Sequence, residues 1–435
     1  MTYSWNKGMT IDDQWQAWSE HAQVDKLPDI DSDKVKDALI KDLTFASKMD
    51  VKEYTLYQKW CEVHDKYPTQ EVNSFFDDKP ALKNPQQGAL LQEIKNNFWL
   101  PEDPEEYIYL EPELIYTGSG NDNGKLSVTG SQLPAIWNGI RTFLSTGKNN
   151  SNIGRNLGYL IRDKKTGKYL GVNCLSSDFL DLTPRDNYIG WEREPKTKKM
   201  INHTCIGSTI VPIQPLGYNL VGGKLMALLC LASDVEHEWE RQYKDKLVGV
   251  TTTSLYGKTK QIPLSQYDGL KHWKKMGWSA GSVSYEPTLK TRKLLQAWLM
   301  KHHTYKYFEW YVAKKETGQP HKRDHRNRSH NFVYSQLKID KKITKSDHSR
   351  GIYFSELFTN TREFLREEVN TTGLVRKFDN SVEALTDLWK NKYAKKRLAS
   401  LKKQGRVSTE THFYDDVIYM TWEETRKKYL NDVGR

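Results

Sequence analysis

Hydrophobic and polar positions change their period several times between residues 204 and 278. Thr204–Ile213 is apolar and β-branched and predicts a buried strand, as does Leu247–Leu255. Between them, Gln214–Lys224 carries three glycines and a proline just before an apolar helix predicted over Leu225–Ala232. Tyr267–Trp278 predicts a short helix. Strands that alternate with helices in this way predict an α/β or α+β core.

The pattern on either side of this region predicts further elements. Ser32–Met49 predicts a helix with a serine cap, and Leu133–Leu144 predicts a shorter one. Leu157–Arg162 and Tyr169–Ser176 flank a turn that contains glycine, which is typical of a β-hairpin. Trp389–Arg406 predicts a strongly basic helix.

These elements lead us to expect an α+β protein whose central mixed sheet is flanked by helices. We predict four regions. They are an acidic helical N-terminal region (residues 1–80), a linker or docking segment (81–150), a core domain (151–285) and a basic C-terminal extension (286–435).

Charge is unevenly distributed along the chain. The formal net charge of the 435 residues is +11. Residues 1–115 carry about −11 and the remainder about +22, an asymmetry that indicates an anionic partner for the later part. A nucleic acid fits this pattern, and a solvated basic surface beside an acidic helical appendage is the alternative.

Cysteine usage and the first residues predict the compartment. Cys61, Cys174, Cys205 and Cys230 form no CxxC pair and indicate no disulfide framework. The start of the chain lacks the pattern of a signal peptide, and no apolar run approaches ~18 residues. We therefore expect a cytoplasmic protein without a membrane span.

The glycine-bearing turn has the composition of a phosphate site. Gly222 and Gly223 stand at the predicted helix start, where unpaired N–H groups donate hydrogen bonds to anions, and Lys224 adds charge. The spacing does not fit a nucleotide-hydrolysing P-loop, because Gly223 intervenes before Lys224 and Leu225 replaces the Ser or Thr that binds magnesium. The alternative is that the glycines only allow tight packing of helix against strand.

The order of elements resembles the core of the GNAT acyltransferase superfamily. In that family the strand before the turn splays from its neighbour and binds pantetheine, while the turn and helix start bind the pyrophosphate of acyl-CoA. Gln214 and Gly217 match the family's turn, whereas Asn219 stands where a second glycine or alanine belongs. Short motifs within about residues 150–285, including Asp186–Trp191 and Tyr218–Gly222, resemble the DruA family of Druantia anti-phage systems and the Mom DNA-modification proteins.

The resemblance implies both a donor and an acceptor. Similarity to Mom implies transfer of a small group from acetyl-CoA or a related acyl-CoA onto adenine in DNA, and similarity to DruA implies a defence context in a bacterial or phage-infected cell. The donor site would then comprise Ile213, Gln214, Gly217, Asn219, Val221, Gly222, Gly223 and Lys224.

Acyl transfer requires a base for the attacking nitrogen and an acid for the leaving thiolate. Asp186 is the candidate base or substrate-orienting carboxylate, with a simple turn residue as its alternative. Many GNAT enzymes use a tyrosine as the acid, but the matching position here is Trp273, so Tyr256 or Tyr267 would have to replace it. Either tyrosine has a packed aromatic as its alternative.

Two basic segments are candidates for contact with double-stranded DNA. His321–His330 interleaves Arg, Lys and His, and we favour phosphate contact over a metal site there because guanidinium groups suit phosphates. The candidate contact residues are Lys322, Arg323, Arg326, Arg328, Lys395, Lys396 and Arg397. The leading hypothesis is a DNA-modifying transferase, and the rival is a nucleic-acid-binding protein that keeps the fold without the chemistry. The N-terminal region is a candidate site for a protein partner.

Overall fold

The computed structural model describes residues 8–22, 29–70, 80–119, 132–148, 154–192, 199–255, 265–279, 283–314, 325–346 and 349–432. The chain divides into two compact units. The first comprises Met1–Tyr54 with Ser282–His348, and the second comprises Thr55–Gly281 with Ser349–Arg435.

Nine strands are present in the described residues. In chain order they are Pro112–Ser119 (β1), Asn156–Asp163 (β2), Tyr169–Ser177 (β3), Thr204–Pro212 (β4), Gly249–Ser254 (β5), Lys274–Trp278 (β6), Val283–Ser284 (β7), Lys345–Ser346 (β8) and Gly351–Glu356 (β9).

The first unit is mainly helical. Its helices are Ile11–His21, Ser32–Ser47, Leu289–His302, Thr304–Tyr307 and His325–Gln336, with a π-helical turn at Phe308–Val312 and an antiparallel pair of β7 with β8. Ser32–Ser47 packs against Leu289–His302, where the Trp298 indole donates 2.9 Å to Ser32 Oγ. The helix is capped by the carboxylate of Asp31, which accepts from the Asp33 N–H, so the predicted serine is instead the first helical residue.

The second unit contains a seven-stranded sheet in the order β1-β2-β3-β4-β5-β9-β6. Only the β4–β5 pair is parallel, and the other neighbours are antiparallel. The helices of this unit are Val51–Lys66 for most of its length, Pro85–Asn96, Leu133–Leu144, Thr183–Ile189, Leu216–Asn219, Gly222–Leu229, Ser233–Tyr243, Thr361–Leu365, Val382–Trp389, Lys395–Lys403 and Trp422–Tyr429.

The predicted α+β class with a mixed sheet is confirmed. The hairpin is present as β2 and β3, and the helix over Leu133–Leu144 has the predicted bounds. The sheet also takes strands from beyond the predicted core range, because β1 precedes residue 151 and β9 follows residue 285. Long connections between sequence-distant strands leave no periodic signal in the sequence.

The predicted helix over Tyr267–Trp278 is wrong. Residues 266–269 form turns and Lys274–Trp278 forms strand β6, which pairs with β9 from Lys274↔Phe354 to Trp278↔Gly351. Gly269 and His272 have φ of +68° and +72°, a left-handed conformation that interrupts an α-helix. The ladder to β9 then satisfies the backbone groups of β6.

The centre of the sheet is apolar and tightly packed. Leu157, Ile161, Leu170, Val172 and Leu175 of β2 and β3 have no exposed surface. Helix Gly222–Leu229 lies against β3, and a Cβ at Gly171 would approach Val211 O to 2.5 Å and Met226 Sδ to 2.6 Å. Only glycine allows this close approach, and it fixes the helix that follows the glycine-bearing turn against the sheet.

The four cysteines, all within the described residues, are not joined by disulfide bonds. Cys174, Cys205 and Cys230 are buried, and Cys61 is half-buried. No helix within the described residues has the length and apolar character needed to cross a bilayer.

Candidate functional site

Strands β4 and β5 separate at the centre of the sheet. Their parallel pairing covers only Thr204↔Gly249, Cys205↔Val250 and Ile206↔Thr251, although both strands continue. Beyond these pairs, Thr252 Oγ1 donates 3.0 Å to Gly207 O in place of a backbone ladder. Beyond Ile206 and Thr251 the two strands are therefore no longer joined by a β ladder.

The glycine-bearing turn follows β4 and is well ordered by its own hydrogen bonds. The short helix Leu216–Asn219 begins the turn, and the Tyr218 N–H donates 3.0 Å to Gln214 Oε1. Val221 then adopts a left-handed conformation with φ of +47° just before helix Gly222–Leu229. The predicted donor residues thus lie together at one end of the sheet.

The turn is covered by neighbouring chain segments. Gly222 and Gly223 are buried, and a Cβ at Gly223 would overlap Gln266 Oε1. Lys224 Nζ donates to two backbone carbonyls, Gln266 O at 2.6 Å and Asp268 O at 3.2 Å. The helix start that the sequence suggested for phosphate binding therefore faces protein atoms, which is the arrangement that the tight-packing alternative predicts.

The C-terminal part of the chain contacts the same turn. The Asn219 side chain exchanges two hydrogen bonds with the backbone of Ser408, at 2.7 and 2.9 Å. Trp389 Nε1 donates 2.9 Å to Leu220 O. Arg397 Nε donates 3.1 Å to Tyr218 O, and its guanidinium lies 4.9 Å from the Tyr218 ring centre. The structure thus brings a predicted DNA-contact residue, Arg397, to the predicted donor turn.

The predicted basic helix is longer than its sequence pattern indicated. It runs from Val382 to Lys403, with a π-helical turn at Lys390–Ala394. One face is buried and consists of Leu385, Trp389, Ala394, Leu398 and Leu401. The opposite face is exposed and carries Lys392, Lys395, Lys396, Lys402 and Lys403. We name these five residues the lysine face; it is the solvated side of an amphipathic helix.

Among the described residues, acidic side chains pair with one member of the lysine face. Lys402 Nζ pairs with Glu105 at 2.8 Å and approaches Asp103 at 4.0 Å. Lys395 and Lys396, both predicted contact residues, are exposed on the same helix.

The second predicted basic segment lies mostly outside the described residues. This applies to Lys322, Arg323 and the side chain of Arg326. Arg328 is exposed on helix His325–Gln336 of the first unit. Within the described part of the chain, no group of three or more His, Cys, Asp or Glu side chains has the geometry to hold a metal ion.

Asp186 belongs to a buried ionic network. Its Oδ1 accepts from Arg185 at 2.7 and 2.9 Å, and its Oδ2 accepts from the Leu182 N–H at 3.0 Å. Arg185 also pairs at 2.8 Å with Asp178, which follows β3 directly and accepts 2.6 Å from Thr251 Oγ1. Both oxygens of Asp186 are therefore engaged in positioning the loop after β3, the kind of role that the turn-residue alternative predicted.

Asp178 and Arg185 were not predicted from the sequence. The signal that could have found them is a carboxylate at the end of a buried strand with a guanidinium seven positions later, since buried charges are paired. Trp191, at the end of the Asp186–Trp191 motif, lies with its ring 5.3 Å from the Arg185 guanidinium and donates 2.6 Å to Leu365 O.

Tyr267 lies on the opposite face of the sheet from Asp186. Thr251, which contacts Asp178, and Thr252 are adjacent in β5, so their side chains point to opposite faces. Thr252 is paired with Tyr353, whose ring lies 5.1 Å from that of Tyr267. The structure therefore does not bring the predicted base and this predicted acid together.

Of the three aromatic candidates, Tyr267 and Trp273 lie within the described residues. Burial raises the pKa of Tyr267 to about 12, so its hydroxyl is protonated at neutral pH. Trp273, at the position that the predicted GNAT resemblance assigns to a tyrosine, is buried and donates 3.2 Å to Ala227 O. Tyr256 lies outside the described residues.

Comparison with known proteins assigns this chain to a family. The family model for Druantia protein DruA matches residues 129–367, more than half of the chain. The chain belongs to the DruA family. The predicted resemblance to this family is confirmed, and the match is wider than the residues 150–285 on which the sequence motifs depended.

The match to an individual relative is more limited. The Druantia protein DruA of Escherichia coli (strain UMEA 4076-1) is 28% identical over 143 residues, which cover 30% of this chain and 35% of that protein. The chain therefore aligns with about a third of the length of this curated relative. No solved structure matches the chain, and the GNAT and Mom resemblances stay predictions.

Proposed function

We propose that this DruA-family protein binds double-stranded DNA through the lysine face and that it serves anti-phage defence. The observation that carries the proposal is the amphipathic helix Val382–Lys403, which exposes five lysines opposite its buried apolar side. Membership of the DruA family supports the defence context. A protein partner bound through the N-terminal region remains part of the proposal.

The helix is held rigidly enough to present its charges in a fixed pattern. Trp389 is fully buried and bonded to the Leu220 carbonyl, and Arg397 bonds the Tyr218 carbonyl. Lysines fixed on one helix face bind phosphates as point charges and release condensed counterions from the duplex. Binding of this kind is independent of sequence and weakens steeply as salt rises.

The test measures DNA affinity as a function of salt for the full chain. The variant Lys395→Gln/Lys396→Gln removes two exposed charges, and we expect the slope of log K against log salt to fall by ~0.9 for each phosphate that is no longer neutralised. Lys427→Gln is the matched control, because Lys427 is also exposed in the second unit but lies on helix Trp422–Tyr429. An unchanged slope in the double variant would refute the lysine face as the DNA-binding surface.

A second candidate, group transfer to a DNA base, is favoured by the separation of β4 and β5. In GNAT acyltransferases such a separation receives the pantetheine of acetyl-CoA or a related acyl-CoA, and β4 and β5 pair here over only three positions. The glycine-bearing turn fits the pyrophosphate of this donor poorly, because Gln266 covers Gly223 and Leu216 packs against Gly222. Asp186 as base and Tyr267 or Tyr256 as acid belong to this candidate alone.

Mass spectrometry of nucleosides from cells that express the protein would separate the two candidates. A new modified nucleoside that disappears in Tyr267→Phe would establish transfer, because this substitution removes only the hydroxyl of a buried ring. Unmodified DNA, in cells where the soluble protein still binds duplex in a salt-dependent way, would leave DNA binding as the function and exclude modification of DNA.

A further inference from the structure

Two lysine ammonium groups lie near one tyrosine ring where the basic helix meets the glycine-bearing turn, and the backbone of a third lysine bonds the hydroxyl of that tyrosine. The ammonium groups of Lys224 and Lys392 lie 5.3 and 5.5 Å from the Tyr393 ring centre. The Lys271 N–H donates 2.7 Å to the Tyr393 hydroxyl, which in turn donates 3.2 Å to Gly269 O. We call Lys224, Lys271, Lys392 and Tyr393 the lysine–tyrosine cluster.

Unusual backbone geometry produces this arrangement. Lys392 and Tyr393 lie in the π-helical turn Lys390–Ala394, which interrupts an otherwise α-helical segment. Single π-helical turns within α-helices are frequent at functional sites, because the extra residue redirects side chains. On the facing segment, His272 has φ of +72° and stacks on Phe378, with ring centres 3.7 Å apart.

Lys224 is the fixed member of the cluster. Two of the three donors of its ammonium group go to the carbonyls of Gln266 and Asp268. Burial lowers the pKa of Lys224, the nearby Lys392 lowers it further, and Asp268 acts in the opposite direction. Lys271 and Lys392 are exposed and can adjust to a ligand.

Asp268, an acidic residue beside the cluster, has partners of its own. The Asp268 carboxylate accepts from the Ser265 N–H at 3.0 Å and from the Tyr353 hydroxyl at 2.8 Å, and it lies 3.5 Å from Lys275. His272 adds no charge at neutral pH, since burial, and next the positive charge of Lys271, lowers the pKa of its imidazole to about 4. The positive charges of Lys224 and Lys392 repel each other, so an anion bound beside both of them would be stabilised.

We propose that the lysine–tyrosine cluster is a binding site for a phosphate group. The ammonium groups of Lys224 and Lys392 lie near one ring, and exposed Lys271 stands on the facing segment, so this group can supply positive charge to a tetrahedral anion. Lys224 holds one donor in place before binding. The phosphate can come from the backbone of DNA on the lysine face, a source that rests on the proposed function, because Lys392 belongs to both groups. It can also come from a nucleotide coenzyme held near the separated strands.

Two probes distinguish these sources, a labelled DNA duplex followed by fluorescence anisotropy and coenzyme A followed by calorimetry. The variants are Lys271→Gln and Lys392→Gln, with exposed Lys427→Gln as the matched control. If DNA is the source, each variant lowers the salt slope of DNA binding by ~0.9, and the control leaves it unchanged. If a coenzyme is the source, the same variants weaken coenzyme A binding and the control does not.

The outcomes separate this inference from the DNA-binding proposal. If the protein binds DNA through Lys395 and Lys396 while Lys271→Gln and Lys392→Gln change neither DNA nor coenzyme A binding, the phosphate site is refuted and DNA binding stands. If the protein binds coenzyme A but not DNA, and these two variants weaken that binding, the site stands and the DNA proposal fails. Binding of neither probe refutes both.

Discussion

Asp178 and Arg185 form an ion pair of 2.8 Å in which neither side chain has any exposed surface. The pair joins the end of β3 to helix Thr183–Ile189, and Thr251 of β5 donates to the same carboxylate. A buried charge is tolerated only when its partner remains in place, because desolvation of an unpaired ion costs several kcal/mol. The loop after β3 therefore depends on this pair for its conformation.

Removal of Arg185 should be strongly destabilising. We expect Arg185→Leu to lower the free energy of unfolding by about 3–5 kcal/mol, because it leaves Asp178 charged and buried without its cation. Urea unfolding followed by tryptophan fluorescence measures this change. In the double variant Asp178→Asn/Arg185→Leu the uncompensated charge is gone, so its loss should be clearly smaller than the sum of the two single losses. Additive losses would show that the two residues are not coupled.

Replacement of Asp186 should lower the free energy of unfolding, because its carboxylate has a structural role. Asp186→Ala removes the acceptor for the Leu182 N–H and one carboxylate partner of Arg185, so we expect a loss of about 1–3 kcal/mol. Glu192→Ala, at an exposed carboxylate a few residues along, should stay within about 0.5 kcal/mol of the wild type. If Asp186→Ala unfolds like the wild type yet abolishes a DNA modification, Asp186 is a catalytic base and the structural assignment is wrong.

Gly222 and Gly223 should differ in their tolerance of alanine. A Cβ at Gly222 would meet the backbone C and O of Leu216 at 3.1 Å, whereas one at Gly223 would meet only the end of the Gln266 side chain. The Gln266 side chain is exposed and can rotate away, but the buried backbone of Leu216 cannot. We therefore expect Gly222→Ala to cost about 1–3 kcal/mol and Gly223→Ala to be nearly neutral. Equal losses in urea unfolding would contradict the geometry.

The elements that the sequence predicted well are those with a strong local period. The hairpin of β2 and β3 and the helix Leu133–Leu144 carry their patterns within a dozen residues, so local chemistry determines them. The segment 267–278 has helical composition, but left-handed Gly269 and His272 and the distant partner β9 turn it into a strand. Pairing with a strand more than 70 residues away overrides local propensity and is invisible in a short window.

In the candidate sites, too, features with a local sequence pattern could be predicted, whereas features that depend on distant residues could not. The basic character of helix Val382–Lys403 could be predicted from composition, and the five residues of its lysine face are exposed, whereas Lys390 is half-buried. The cover over the glycine-bearing turn could not, because Gln266 and Ser408 come from distant parts of the chain. The lysine–tyrosine cluster likewise depends on a π-helical turn, for which the sequence has no recognisable signal.

Lys59 is a buried cation whose charge opposes folding. Its side chain is almost fully buried, with Nζ donating 2.7 Å to Ser145 O and lying 4.4 Å from the Tyr414 ring centre. Burial, and next the charge of Arg141, lowers the pKa of Lys59 from its usual 10.5 to about 7. The unfolded chain therefore binds more protons than the folded chain between these two values.

The free energy of unfolding should consequently rise with pH over the range in which Lys59 is protonated in the unfolded chain but not in the folded chain. We expect the wild type to gain stability relative to Lys59→Met from about pH 7 towards pH 10, by up to ~1.4 kcal/mol per pH unit. Below about pH 7 Lys59 is protonated in both the folded and the unfolded chain. The difference in unfolding free energy between the wild type and Lys59→Met should therefore be constant there. Urea unfolding at a series of pH values measures this difference, and Lys427→Met, at an exposed lysine, should show no such trend. A gap that stays constant up to pH 10 would mean that Lys59 remains charged inside the protein and that its carbonyl and ring contacts compensate the cost of burial.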